Sequence, residues 1–84
     1  MPSVARFDGI AIYLYYNDHP LPHFHARFQG GTMEVTISPV GILRGTLPAA
    51  QTAQVLAWAR KRQQELLADW QLARAGQPLR PIAR

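Results

Sequence analysis

The chain changes its residue preferences once, near Pro48, and this change limits the folds that it can adopt. Before Pro48, β-branched and aromatic residues dominate, whereas Ala, Leu, Gln and Arg dominate after it. The first set favours strands and the second favours helices. No repeat or linker divides the 84 residues, a length that suits one hydrophobic core. We therefore predict a single α+β domain over residues 1–84, β-rich over 1–47, helical over 48–76 and an extended tail over 77–84.

The β-rich part is predicted to form a small antiparallel sheet of three to four strands. Residues 7–16 are predicted as the first strand, with apolar or aromatic residues on both faces. Residues 23–29 and 32–38 are predicted as a hairpin closed by Gly30-Gly31, because glycine tolerates the positive φ of a two-residue turn. A turn over residues 39–41 and a shorter strand over residues 42–47 follow.

The predicted Gly30-Gly31 turn also fixes the register of this hairpin, which separates apolar pairs from polar pairs. A register shifted by one residue would mix the two classes. The predicted apolar pairs are Phe28 with Met33, Ala26 with Val35, and Phe24 with Ile37. The predicted polar pairs are Arg27 with Glu34, His25 with Thr36, and His23 with Ser38.

The second half of the chain predicts one long or bent C-terminal helix packed on one face of the sheet. Pro48 suits a first helical position and Gly76 suits a C-terminal stop. A helix this long is unusual in so small a domain, so a bend between residues 60 and 63 is predicted. The residues that recur at spacings of three and four are Val55, Ala59, Arg62, Leu66, Trp70 and Ala73.

All three histidines, His19, His23 and His25, lie close together in the chain and mark the main candidate site. Alternation along a strand puts His23, His25 and Arg27 on the same face. His19 can fold back towards them from the proline-restricted loop, and Glu34 reaches this face from the neighbouring strand. The sequence therefore predicts one polar site at this end of the hairpin.

The first function considered for this site is acid–base chemistry on RNA. Imidazole exchanges a proton near neutral pH, and an arginine can hold a phosphate by a two-pronged contact. In this interpretation His23 and His25 are the acid and the base, Arg27 holds the phosphate and His19 assists. These parts suffice for RNA cleavage by a small toxin-like fold.

The charge of the chain favours an acidic partner, either a nucleic acid or an acidic protein. Nine Lys and Arg residues against five Asp and Glu residues give a formal net charge of +4, although a charge of this size also serves solubility alone. Tyr13, Tyr15 or Phe24 can offer a ring on which a base stacks. The candidate contact residues are Arg27, Tyr13, Tyr15, Arg44, Arg60, Lys61 and Arg62.

The second function considered is metal binding. His23 and His25 form a His-x-His pair on one strand face, and His19 can join them with Asp18 or Glu34. The first interpretation needs no cofactor, whereas this alternative needs a divalent metal such as zinc. Without cysteine, the chain can offer only histidine and carboxylate ligands to such a metal.

A structural role is the third interpretation of this segment. The histidines can satisfy backbone groups of the loop, with Asn17 and Asp18 forming an Asx turn. Trp58 and Trp70 lie near the same side of the predicted helix and are expected either in the core or in contact with a partner.

The apolar segments of the chain predict a cytoplasmic protein without a membrane partner. The longest apolar run, around residues 10–16, is too short to cross a bilayer. Residues 1–6 lack the apolar region of a signal peptide. The absence of cysteine excludes disulfides and thiolate chemistry.

Several residue runs, spread over almost the whole chain, carry a family resemblance. They are residues 1–4 and 7–10, the run Tyr16-Asn17-Asp18-His19-Pro20-Leu21-Pro22-His23-Phe24-His25-Ala26, the pair Leu47-Pro48, and residues 55–58, 65–70 and 76–79. Together they resemble the bacterial family catalogued as domain of unknown function 4160. Leu21 departs from the pattern, because a second proline is usual there, and this loosens the loop.

The resemblance implies a small cytoplasmic bacterial protein whose gene often lies beside a second small gene, in an arrangement similar to a toxin–antitoxin module. It assigns no catalytic residues, although His19, His23 and His25 match the family motif. We therefore expect the toxin-like component of such a pair, which acts on or binds RNA, with a small acidic protein encoded next door as its partner. The alternatives are a non-catalytic module that docks an acidic protein through its sheet face or tryptophan-bearing helix, and a small metal-binding protein.

Overall fold

The computed structural model describes residues 3–16 and 21–84, which form an α+β fold. An antiparallel sheet of five strands, arranged in chain order, is followed by two helices. The elements are β1 (Ala5–Phe7), β2 (Ile10–Tyr13), β3 (His23–Phe28), β4 (Gly31–Ile37), β5 (Val40–Gly45), α1 (Ala49–Lys61) and α2 (Gln63–Arg74). The predicted class is confirmed, whereas the predicted three to four strands and single helix are wrong in number.

The segment predicted as one long first strand contains a tight turn. Asp8 and Gly9 have φ values of 49° and 78°. They connect β1 to β2, with Phe7 opposite Ile10. Two successive residues with positive φ are what a type I′ hairpin turn requires, and Asp-Gly is a favoured pair there. This turn supplies the additional strand, and it places β2 between β1 and β3.

The turn between β3 and β4 lies one residue earlier than predicted. Gln29 and Gly30, with φ values of 46° and 82°, occupy its two central positions in place of Gly30-Gly31. Phe28 therefore lies opposite Gly31. The hairpin is present, but its register differs from the predicted one by two residues.

This two-residue shift keeps every side chain on its predicted face and changes its partner. Alternation has a period of two, so apolar residues still oppose apolar residues. The predicted pairings of His25 with Thr36 and of His23 with Ser38 are wrong, as is that of Arg27 with Glu34. The observed pairs on this face are His23 with Thr36, His25 with Glu34, and Arg27 with Thr32.

The last strand begins earlier than predicted and contains a β-bulge. β5 occupies Val40–Gly45, where the prediction had a turn over residues 39–41 and a strand over residues 42–47. The pairs around the bulge are Met33 with Gly45, Glu34 with Arg44, and Val35 with Ile42. Leu43 is therefore a surplus residue in β5, and such a residue bends a strand and increases its twist.

The helical half is divided at Arg62 into α1 and α2, where the prediction had one long or bent helix. Arg62 has φ −109° and ψ 22°, away from ideal helical values, and lies inside the segment predicted to bend. Its N–H still donates to the carbonyl of Trp58 at 2.9 Å. Within residues 3–16 and 21–84, neither helix has the length and apolar character that crossing a bilayer demands.

The core lies between the two helices and one face of the sheet. Trp58 of α1 contacts the rings of Phe7 and Phe24, with centroid distances of 5.3 and 5.9 Å. Trp58 and Trp70 are 5% and 4% exposed, so both are core residues. The fully enclosed residues of this core in the strands, together with Leu14 just after β2, are Ile12, Phe24, Ala26, Met33, Val35 and Ile37. The prediction that Phe24 can offer a ring to a base is therefore wrong, because its ring is enclosed in the core.

The segment after α2 packs against β1 and contains no helix or strand. The N–H of Ile82 donates to the carbonyl of Val4 at 2.8 Å, and Trp58 Nε1 donates to the carbonyl of Ala83 at 2.9 Å. Ile82 is buried in the core. The tail thus closes one end of the core.

Asp69 of α2 is a buried carboxylate that holds the tail through one oxygen. Its Oδ1 accepts a hydrogen bond from the N–H of Arg80 at 3.0 Å. Its Oδ2 is buried without a hydrogen-bond partner among residues 3–16 and 21–84. Burial raises the pKa of this carboxyl above its ordinary value and outweighs the opposing influence of Arg80.

We expect the substitution Asp69→Asn to change the dependence of stability on pH. Because the folded-state pKa of Asp69 is raised, its proton stabilises the fold at acid pH, and this contribution is lost as the pH rises through that pKa. The unfolding free energy of the variant minus that of the wild type should therefore grow from about pH 4 to about pH 7. Urea unfolding of both proteins measures this difference, in which the other carboxylates cancel, and a constant difference would contradict the prediction.

Candidate functional site

β3 presents two histidines at its beginning, and they differ in exposure. The ring centroids of His23 and His25 lie 5.1 Å apart. His23 is fully buried, with the Trp70 ring of α2 at 5.3 Å, whereas His25 is partly exposed. Of the two, His25 is therefore the one open to a molecule in solution.

The buried His23 ring is held by the backbone. Its Nδ1 lies 2.6 Å from the carbonyl oxygen of Leu21. A carbonyl only accepts hydrogen bonds, so Nδ1 carries a proton and is the donor of this bond. The nearest Glu34 oxygen, Oε1, is 3.8 Å from the Nε2 of His23. That separation exceeds a hydrogen bond.

Glu34 of β4 brings a carboxylate to the two imidazoles. It lies directly opposite His25 in the sheet, and its side chain is 16% exposed. One ligand atom from each of His23, His25 and Glu34 lies within 4.8 Å of the other two. We call these three residues the His–His–Glu cluster. Arg44 approaches it from β5, with Nε 3.5 Å from Glu34 Oε2.

A row of aromatic and cationic side chains leads away from this cluster across β3, β2 and the residues just after β2. Tyr15 meets the His25 ring edge-on at 4.6 Å, and Tyr13 stacks on Tyr15 at 6.2 Å with the planes 4° apart. The guanidinium of Arg27 lies 5.4 Å from the centre of the Tyr13 ring. Arg27 is exposed and the three rings are partly exposed. We call Arg27, Tyr13, Tyr15 and His25 the aromatic strip.

The structure therefore brings most of the predicted site residues together. His25 belongs to both the cluster and the strip, and Arg27 and the two tyrosines follow it. His19, with its neighbours Asn17 and Asp18, lies outside the described residues, so its assisting role and the predicted Asx turn remain predictions.

Three predicted basic residues lie elsewhere. Arg60 and Lys61 end α1 in the helical layer and are exposed. Arg62 stands between the helices, where its guanidinium donates to Glu65 Oε1 at 3.3 Å and to the carbonyl of Arg84 at 2.9 Å. These contacts give Arg62 a role in joining the helices and the tail rather than a place in the strip.

Two contacts of the site were not expected from the sequence. Glu34 was expected opposite Arg27, and placing it opposite His25 needs the Gln29-Gly30 turn, whose glycine was visible in the sequence. The contact between His23 and Trp70 joins β3 to α2, and no local pattern could predict it.

The arrangement combines groups that exchange protons, ligate metals and contact nucleic acids. An imidazole beside a carboxylate can transfer a proton or bind a metal ion. Stacked rings next to an arginine offer a surface for bases and phosphates.

A comparison with protein-family models matches residues 9–71 to the family described as Domain of unknown function (DUF4160). This segment includes the cluster, the strip and both helices up to Gln71. Searches of curated proteins and of solved structures found no match. Because the family match covers most of the sequence and confirms the resemblance carried by its motifs, the chain belongs to the DUF4160 family.

Proposed function

We propose that the protein binds and acts on RNA, as the toxin-like component of a two-gene module. The observation that carries this proposal is the aromatic strip, in which Arg27, Tyr13, Tyr15 and His25 follow one another in contact. A strip of this composition offers a cation for a phosphate, rings for bases and an imidazole for proton transfer within one surface.

The strip lies on the sheet face that does not carry the enclosed residues Phe24 and Ala26, and its side chains are exposed or partly exposed. Such a surface is one that single-stranded RNA can use. Unstacked bases stack on exposed aromatic rings, and each such contact contributes about 1–3 kcal/mol. A guanidinium holds a phosphate through paired hydrogen bonds. Arg27 is exposed beside the Tyr13 ring, so one nucleotide can contact both side chains.

The acid–base roles expected from the sequence change in this proposal. His23 is fully buried and faces Trp70, so it serves as a positioning residue rather than as an acid or base in contact with RNA. His25 takes the proton-transfer role, with Glu34 across the strands as its partner. Arg27 keeps its predicted role as the phosphate contact.

Binding of a fluorescent single-stranded RNA oligonucleotide tests the strip. We expect Arg27→Ala to weaken binding and to lower the slope of log affinity against log salt by about 0.7, the value for one lost phosphate contact on a single strand. Arg74→Ala is the matched control, because it removes the same charge from the exposed end of α2 in the helical layer. Equal losses of RNA affinity in both variants would mean that net charge alone causes the effect. That result would contradict RNA binding at the aromatic strip.

Expression in bacteria tests whether RNA is also the target of the activity. The wild-type protein should arrest growth and degrade cellular RNA, and His25→Ala should relieve both effects. Arg74→Ala should remain toxic. A wild-type protein that leaves growth and RNA unchanged would refute the toxin-like role without affecting the binding result.

The toxin-like role includes a neutralising partner, which we propose is the small acidic protein encoded next door. The exposed guanidinium groups of Arg27 and Arg44 stand near the two ends of the strip and suit an acidic surface. A partner bound there would cover the RNA surface. The purified neighbour should therefore displace the labelled oligonucleotide, and simultaneous binding of both would contradict this placement.

A further inference from the structure

We propose that the His–His–Glu cluster binds one divalent transition-metal ion of the zinc type. This inference goes beyond the RNA proposal and does not depend on it, because it rests on three side chains of β3 and β4 and on no contact with RNA. It replaces the ligand set expected from the sequence, in which His19 joined His23 and His25, by a set in which Glu34 is the third ligand.

The donor set and its spacing favour such an ion. Two imidazole nitrogens and one carboxylate oxygen are the protein ligands of a common class of zinc site, which leaves a further position open. The three ligand atoms lie within 4.8 Å of one another. Ligands at zinc-bond lengths lie about 3.3 Å apart, so each side chain needs to move by less than about one ångström.

The surroundings of His23 resemble those of a metal-binding histidine. A ligating imidazole usually donates its other N–H to a carbonyl or carboxylate, which fixes the ring and its tautomer. His23 makes such a bond from Nδ1 to the Leu21 carbonyl at 2.6 Å. Its Nε2 lies 3.8 Å from Glu34 Oε1, and burial against Trp70 restricts rotation of the ring. The least mobile ligand is therefore already oriented.

Arg44 should weaken metal binding, and its removal therefore offers a specific test. Its guanidinium lies 3.5 Å from the carboxylate of Glu34, so it competes with a cation for that group. The side chain of Arg44 is 68% exposed, and its removal leaves the core intact. Arg44→Ala should therefore tighten metal binding about two- to fivefold, the range expected for one exposed ion pair.

The His–His–Glu cluster and the aromatic strip share His25 and have no other residue in common. A bound ion would occupy the His25 imidazole, and water on the open position would then supply the proton-transfer group at this end of the strip. Arg27 and the two tyrosines would contact RNA in the same way with or without the ion.

The experiment titrates zinc chloride into the chelator-treated, RNA-free protein and measures stoichiometry and affinity by calorimetry. Cobalt(II) replaces zinc in a second titration, in which its visible absorption reports nitrogen and oxygen coordination. We expect one ion per chain, and a loss of affinity above about a hundredfold in His25→Ala and in Glu34→Gln, more than the loss of an outer-shell partner causes. His23 is left unchanged because it is fully buried, and circular dichroism verifies the fold of each variant.

Two further variants separate this inference from the RNA proposal. Arg27→Ala should bind zinc like the wild type while losing RNA, and Arg44→Ala should bind zinc more tightly. No zinc bound, or equal zinc affinity in the wild type, His25→Ala and Glu34→Gln, would overturn the metal site. Neither result would alter the RNA measurements, and a failure of RNA binding would not alter the zinc titration.

Discussion

The Phe24→Ala variant is expected to lose about 3–5 kcal/mol of unfolding free energy, the usual cost of removing a large buried ring. Phe24 is fully buried on β3, the central strand of the sheet, and its ring meets Trp58 at 5.9 Å with the planes 82° apart. Truncation removes the buried apolar area and leaves a cavity between β3 and α1. The total unfolding free energy of a small domain is about 5–15 kcal/mol, so this loss is a large part of it.

Chemical unfolding of the wild type and the variant measures this loss. Ile42→Ala is the control, because Ile42 is an apolar strand residue that is 51% exposed on β5. It should cost less than about 1 kcal/mol. Similar losses for Phe24→Ala and Ile42→Ala would mean that the face between β3 and α1 is not the core.

Gly45→Ala is expected to have the second-largest effect, about 2–5 kcal/mol, through the backbone rather than the core. Gly45 has a φ of +80°, and an added Cβ would lie only 2.3 Å from the carbonyl oxygen of Thr32 and 3.1 Å from the Cα of Met33. Both neighbours are backbone atoms of β4, so relief requires β4 and β5 to separate. The expected result is a lower unfolding free energy, measured by urea unfolding.

Gly30→Ala separates the two causes of this loss of stability, which are the strain of a positive φ and the clash of an added Cβ with β4. Gly30 has almost the same φ, +82°, but an added Cβ would meet no atom within 4 Å. It should therefore cost only the conformational strain, about 1–2 kcal/mol. If the two variants lost equal stability, the close approach of β5 to β4 at Gly45 would be refuted.

The hairpin of β3 and β4 illustrates what alternation can and cannot predict. Alternation assigned Phe24 and Ala26 to the core face and His25 and Arg27 to the other, because a strand presents its side chains in turn. It could not separate registers that differ by two residues, because both match apolar residues with apolar residues. The turn residues decide between them, and Gln29-Gly30 is a weaker signal than paired glycines.

The missed strand has a different cause. Residues 7–16 form an almost continuous apolar and aromatic stretch, which predicted one long strand. Asp8-Gly9 within that stretch is among the strongest hairpin signals in a sequence. Local turn chemistry therefore outweighed the apolar pattern.

The sequence predicted which residues form the candidate site, but it did not predict the burial and contacts of those residues. Strand alternation placed His23 beside His25, as the structure has them. The burial of His23 depends on Trp70, which is 47 positions further along the chain and reaches it only when α2 packs on the sheet. Contacts of this kind follow from the tertiary fold, and here they change the role of His23 from acid or base to positioning residue or ligand.

The surplus residue in β5 makes the β-bulge a determinant of charge at the candidate site. If the ladder continued unbroken from Val35 and Ile42, Leu43 would stand against Glu34 and Arg44 against the fully enclosed Met33. Losing the bulge with all residues of β5 retained would thus exchange a leucine and an arginine between the two sides of the sheet. It would take the guanidinium of Arg44 away from Glu34 and force it into the hydrocarbon interior. Deletion of Leu43 itself would keep Arg44 opposite Glu34, so the surplus residue and the offset of the ladder have to be lost together.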